Sequence, residues 1–237
     1  FNLTAGGALG SAFIPMFTGY LTRKDEKGAW RLASGVVNSV LIVLILVSTL
    51  MWIFAPFLVE HGLFALVPDS NALQVAETAR LLRIMLPTVI IFGISGLVMG
   101  MLNAHQVFLW PALAPAAYSL GIILGVWLLP ESWGINRLAI GTVIGAGGHL
   151  LLQLPVLFRL PARKYELAAG FRDAPVRRVL RLMLPRIFGA GIVQLNFVAN
   201  TIISLSLGAG SASALTYAFT LMLMPQAAIA QSAGTAS

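Results

Sequence analysis

The chain has 237 residues, 58% of them hydrophobic and 10% charged, with a mean hydropathy of +0.89. Soluble domains carry about 25% charged residues, so this composition argues against a water-soluble enzyme. The absence of cysteine excludes a disulfide framework, a cysteine zinc site and a cysteine nucleophile. A membrane-crossing helix needs about 20 mostly apolar residues. Seven such stretches follow in order, at about Phe1–Leu21, Leu32–Val59, Leu82–Ala104, Phe108–Pro130, Leu138–Phe158, Pro185–Gly208 and Ala212–Ser232. The first starts inside an apolar run without an initiator Met and the last stops inside another, so the chain is expected to be a fragment. The runs are too long for strands and lack period-two alternation. The expected fold is all-α: a polytopic transmembrane helix bundle.

Basic residues set the orientation. Arg23, Lys24, Lys27, Arg31, Arg159, Arg163, Lys164, Arg172, Arg177, Arg178, Arg181 and Arg186 fall on one side of the alternating spans; they are 12 of the 15 basic residues. Only Arg80, Arg83 and Arg137 fall on the other, beside Glu60, Asp69, Glu77 and Glu131. The positive-inside rule makes the first side cytoplasmic, so the formal net charge of +7 reads as topology before nucleic-acid binding. The longest cytoplasmic piece, 159–184, ends in a basic amphipathic helix candidate starting at Asp173. Arg177, Arg178 and Arg181 share one face there, with Val176, Val179, Leu180 and Met183 largely elsewhere. Such a helix lies at the interface, either anchoring the next span or also attracting an anionic lipid headgroup. Arg80-Leu-Leu-Arg-Ile-Met-Leu-Pro87 echoes Arg178-Val-Leu-Arg-Leu-Met-Leu-Pro185, but a common span start explains one such match as well as an inverted repeat does.

Inside the spans the polar residues are amides, hydroxyls and His149, arranged in stripes. Asn196, Asn200 and Ser204 share one face of the sixth span, and Gln194 and Thr201 another. Thr216, Thr220, Ala227 and Gln231 mark the seventh, and Thr142, Gly145, His149 and Gln153 the fifth. Such groups face other helices or a wet cavity, so interhelical hydrogen bonding and a shared polar cavity both stay open. Gly6/Gly10, Gly96/Gly100, Gly121/Gly125 and Gly141/Gly145 have the spacing that lets helices approach closely. Gly145-Ala-Gly-Gly148 lies mid-span without a following Lys-Ser/Thr, so it is no phosphate loop. No carboxylate pair, HExxH or Ser/His/Asp set is brought together by the topology, so neither catalysis nor a metal site is expected.

Gly6-Gly-Ala-Leu-Gly-Ser-Ala-Phe-Ile-Pro15, followed by a basic connector, resembles the second helix of MurJ/MviN-type lipid II flippases. Leu81-Leu-Arg-Ile-Met-Leu-Pro87, Leu102-Asn-Ala-His105 and Pro111-Ala-Leu-Ala-Pro115 resemble that family's fourth helix and the start of its fifth. Gln194 with Asn200-Thr201 is similar to its seventh, and Tyr217-Ala, Leu221-Met222 and Pro225 to its eighth. The resemblance runs in order along essentially the whole chain. It implies helices two to eight of a two-lobe transporter of roughly fourteen helices, in the multidrug/oligosaccharidyl-lipid/polysaccharide exporter superfamily. Residues 1–158 would belong to the N-terminal lobe, 159–184 to a cytoplasmic connector and 185–237 to the start of the C-terminal lobe.

The implied activity is flipping of undecaprenyl-linked lipid II from the inner to the outer leaflet of the bacterial cytoplasmic membrane, by alternating access. The implied cavity residues are Gly6, Gly7, Ser11, Gln194, Asn196, Asn200, Thr201, Thr216, Thr220 and Gln231, with Arg177, Arg178 and Arg181 drawing in the anionic lipid. No cofactor is expected; the membrane potential or an ion gradient is the candidate driving force. Implied partners are the lipid substrate, membrane lipids and cell-wall synthesis proteins. The chain departs from the family where an arginine would align near Phe1. It departs again where the eighth helix often has an Asp-Arg pair and a Glu before the proline; here stand Phe219, Thr220 and Leu223. That leaves two alternatives: another lipid-linked oligosaccharide or drug exporter of the superfamily, and a non-transporting membrane scaffold.

Overall fold

A computed structural model describes residues 2–64, 71–161, 164–167, 170–208 and 210–226, giving backbone alone for 2–11 and 224–226. It contains eight α-helices and no strand among the described residues. They are α1 (Asn2–Thr22), α2 (Glu26–Leu58), α3 (Ala72–Ala104), α4 (Leu109–Leu128), α5 (Asn136–Leu151), α6 (Leu154–Phe158), α7 (Ala174–Ser206) and α8 (Ser211–Gln226). Five stretches are long and apolar enough to cross a membrane: Glu26–Leu63, Ala72–Ala104, Leu109–Leu128, Asn136–Phe158 and Ala174–Ser206. The first and last expected spans correspond to α1 and α8, the latter followed to Gln226. Large apolar side chains lie outward, among them Trp127 at 84% and Leu128 at 71% exposure, which hydrocarbon tolerates and water does not.

The core lies at the end of the bundle that carries the basic connectors. Phe13 and Phe17 of α1 pack with Trp30 and Val36 of α2, Leu97 and Leu102 of α3, and Val176 and Val179 of α7. His105, just after α3, stacks on Trp30 at 6.0 Å and tilts against Phe17 at 5.6 Å. The connectors that charge counting puts on one side of the membrane thus meet in space. Two of their turns are tight. Lys24 and Gln106 adopt left-handed φ values of 59° and 62°. Lys24 N–H donates to Leu21 and Asp25 N–H to Tyr20; Gln106 N–H donates to Asn103 and Val107 N–H to Leu102. This paired pattern closes a helix C-terminus at a residue that is usually glycine.

Two of the four glycine pairs face each other. A Cβ on Gly121 would lie under 3.0 Å from the Gly145 backbone, and one on Gly125 would overlap Gly141 Cα. α4 and α5 therefore touch backbone to backbone. Gly100 meets Ile14 and Phe13 of α1 instead.

Prolines shape the long helices. Pro56 has no N–H for the Trp52 carbonyl, and Arg83 of α3 supplies the missing donor, its Nε 2.9 Å from that oxygen. The guanidinium also lies over the Trp52 ring, 4.8 Å from the centroid. Beyond Pro56 the chain makes one wide turn, Val59–Leu63, closed by Phe64 N–H to the Val59 carbonyl.

Two expectations change. The fifth span is not continuous: α5 stops at Leu151 and α6 starts at Leu154. Pro155 cannot donate to the Leu151 carbonyl, but it suits the first turn of a new helix. The amphipathic segment from Asp173 is not a separate interfacial helix. It forms the first turns of the 33-residue α7, which runs on through Pro185. Its apolar face is buried by protein, since Val176, Val179 and Met183 join the α1–α2 core.

Candidate functional site

The expected cavity residues lie mainly on α7 and α8. Above Met183, α7 leaves the core, and residues 184–199 are exposed or half-buried. Asn196 is exposed and Asn200 half-buried, and the two amides are linked, Asn200 Nδ2 donating to Asn196 Oδ1 at 2.9 Å. Ser204, buried, donates to the Asn200 carbonyl at 2.7 Å. The stripe is therefore a connected polar line on one helix face. Gln194 and Thr201 are both exposed.

α8 packs on α7 through Phe197 and Phe219, whose ring centroids are 5.5 Å apart. Its Thr216 and Thr220 donate to Ala212 and Thr216 carbonyls one turn back. Thr201 does likewise to Phe197. A hydroxyl satisfied in this way sits in an apolar setting at little cost and still has lone pairs to offer. Gln194, Asn196 and Asn200 are the side chains of α7 with amide capacity beyond their helix. Gly6, Gly7 and Ser11 lie on α1, whose backbone alone is described there, and Gln231 lies outside the described residues. The structure thus joins Asn196 with Asn200 and Thr216 with Thr220, and sets the two helices side by side.

Arg177, Arg178 and Arg181 are all exposed on the first turns of α7, opposite buried Val176, Val179 and Met183. Asp173, just before α7, holds Arg31 of α2: Arg31 Nη2 lies 3.0 Å and Nε 3.4 Å from the two carboxylate oxygens.

The stripe on α5 finds a partner that periodicity does not name. His149, Gln153 and Ser95 of α3 are all buried. Ser95 Oγ is 2.7 Å from His149 Nδ1, and Gln153 Nε2 donates to Ser95 Oγ at 2.8 Å. Gln153 Nε2 also donates to the His149 carbonyl at 2.9 Å, because the Gln153 backbone N–H has turned to Leu150. The amide thereby stitches the break between α5 and α6. Sequence reading also missed Trp30, Ser34 and Asn38, a four-residue periodicity on α2 that binds the backbone of Pro161, Glu166 and Leu167. The signal was an asparagine and serines in a charge-free span.

Comparisons with known proteins extend over nearly the whole chain. The family model described as "Lipid II flippase MurJ" matches residues 1–236. A lipid II flippase MurJ from Burkholderia cenocepacia is 30% identical over 99% of this chain and 46% of its own length. A probable lipid II flippase MurJ from Bdellovibrio bacteriovorus is 31% identical over 99% of this chain and 45% of its own. A solved structure, "Lipid II flippase MurJ, inward closed conformation", superposes with a TM-score of 0.72 at 26% identity, covering 94% of this chain and 45% of that one. The chain spans about half the length of the curated relatives it matches. With its apolar helices and this match, the chain belongs to the lipid II flippase MurJ family, multi-pass proteins of the bacterial cytoplasmic membrane.

Proposed function

We propose that the protein moves the undecaprenyl-linked peptidoglycan precursor, lipid II, from the inner to the outer leaflet by alternating access. The observation that carries the reading is the family match over residues 1–236, and it is supported by a polar line along α7, a helix long and apolar enough to cross a membrane. A lipid-linked disaccharide needs hydrogen-bonding partners through hydrocarbon, and Asn196, Asn200 and Thr220 provide them. Gly6, Gly7, Ser11, Gln194, Thr201, Thr216 and Gln231 complete the assignment. Residues 1–158 act as part of one lobe and 185–237 as the start of the other, joined by 159–184.

The state in which the related structure was solved, inward closed, supports alternating access. Here the first turns of α7 are packed onto α1 and α2, as closure at the cytoplasmic face requires. The exposed Arg177, Arg178 and Arg181 attract the anionic lipid to that face. The membrane potential or an ion gradient drives the cycle, and cell-wall synthesis proteins are the natural neighbours.

The test is lipid II translocation by the intact protein carrying Asn196→Leu and Asn200→Leu. Interhelical or ligand hydrogen bonds at this depth are worth roughly 1 kcal/mol each, so translocation should fall about tenfold or more. Unchanged translocation would remove this pair from the path.

A further inference from the structure

The connector between α6 and α7 is strapped to one face of α2. Trp30, Ser34 and Asn38, spaced one turn apart, each hold its backbone. Trp30 Nε1 donates to the Pro161 carbonyl at 3.2 Å. Glu166 N–H donates to Ser34 Oγ at 3.1 Å. Asn38 Nδ2 donates to the carbonyls of Glu166 and Leu167, each at 3.1 Å, and the Tyr165 hydroxyl donates to Asn38 Oδ1. Ser34 and Asn38 are buried beneath the strap. The strap ends at Asp173, paired with Arg31 one residue beyond Trp30.

The two kinds of contact differ in how easily they part. Releasing Asn38 strands buried amide groups, a costly step. The ion pair is different: its side chains are 61% and 23% exposed, so water and salt replace the partner readily. The same pair walls a cleft of about 360 Å3 between α1, α2 and α7, with Tyr20, Leu32 and Val176 among its other walls. Asp25 also faces this cleft, so its carboxylates outnumber its one guanidinium and it is a poor seat for an anion.

We propose that the Arg31–Asp173 pair is a releasable latch, closing the cytoplasmic base of α7 against α1 and α2, while the strap to Trp30, Ser34 and Asn38 stays fastened as its tether. The latch rests on the alternating-access reading for its role in transport, but not for its existence. It makes Arg31 and Asp173 positioning residues: they set how often the base of α7 parts from α2 and do not touch the cargo.

The reporter is Leu32→Cys, at a buried wall of the cleft; these 237 residues contain no cysteine, and any elsewhere in the intact protein is first replaced by serine. The intact protein, in membrane vesicles with the cytoplasmic face outward, is labelled with a membrane-impermeant maleimide. Arg31→Ala and Asp173→Ala should each speed labelling about two- to fivefold, the range an exposed ion pair controls. The swap Arg31→Asp with Asp173→Arg should slow it again, and high salt should speed labelling of the wild type and the swap but of neither single variant. Labelling unaffected by either single variant overturns the latch.

Transport gives the second arm. Cysteines at 31 and 173 joined by a bifunctional thiosulfonate should arrest lipid II movement, and reductant should restore it. Translocation by the cross-linked protein overturns the need for release. If labelling responds as expected but the wild type moves no lipid II, the flippase reading fails and the latch stands.

Discussion

Gly121 of α4 offers a sharp test of the α4–α5 contact. An alanine Cβ there would fall under 3.0 Å from the Gly145 backbone, where no rotamer change gives relief. The helices must part, and overpacking of this kind costs about 1–3 kcal/mol. Gly147 is the internal control. It lies two residues beyond Gly145 on α5, and a Cβ there meets nothing within 4 Å. Gly147→Ala should therefore be neutral or stabilising by about 0.5–1 kcal/mol, through helix propensity alone. For a domain of 150–250 residues 1 kcal/mol is about 2–4 °C in Tm, so the two variants should differ by several degrees in a detergent melt. The double variant Gly121→Ala/Gly145→Ala adds a second criterion. Once the helices have parted for one methyl, the second should cost less than it does alone, giving a sub-additive cycle. Equal stability of Gly121→Ala and Gly147→Ala would refute backbone-to-backbone packing.

Arg83→Met should destabilise the protein by about 1–3 kcal/mol, because the Trp52 carbonyl loses the donor that replaces Pro56. Pro56→Ala should largely rescue it by restoring a main-chain N–H; thermal melts of the single and double variants decide the point. Lys24→Gly or Gln106→Gly should raise the melting temperature, since each residue has a left-handed φ that glycine adopts without a Cβ penalty, a gain of up to about 1 kcal/mol. A fall in stability would mean that these side chains contribute more than their backbone strain costs.

Hydropathy made the spans legible because a helix that meets lipid has an apolar exterior, which a run of residues records directly. Charge asymmetry made the ends legible, and Trp30, His105 and Pro161 do meet in space as that asymmetry implies. Glycine spacing identified the α4–α5 contact, though it did not separate Gly121 and Gly125, which face another glycine pair, from Gly100, which faces Ile14. The break at Leu152–Gln153 was not legible. Pro155 fits a helix interrupted there as well as a proline-containing span such as α3, which Pro87 leaves continuous. The α2 strap was hidden for a different reason: its bonds join residues 127 to 132 apart, and local periodicity carries no information on such pairs. Similarly, the four-residue spacing of His149 and Gln153 announced a polar face but left Ser95 unnamed. For the candidate site, the Asn196–Asn200 face was readable from spacing. The ring contact of Phe197 with Phe219 was not, because spacing along one helix does not name its partner on the next.

The continuity of α7 has a mechanical consequence. Below Pro185 the helix is fastened by Val176, Val179 and Met183; above it, the surface up to residue 199 is open or half-open. Pro185 has no N–H for the Arg181 carbonyl, so the ladder is weakest where the fastened part ends. From Pro185 to Asn200 the arm is about 22 Å long at 1.5 Å per residue. A bend of about 20° at that joint, the scale of a proline kink, swings Asn200 through about 8 Å. The polar line thus sits at the tip of a lever whose fulcrum is a single proline, and a small change of angle becomes a displacement the size of a sugar ring.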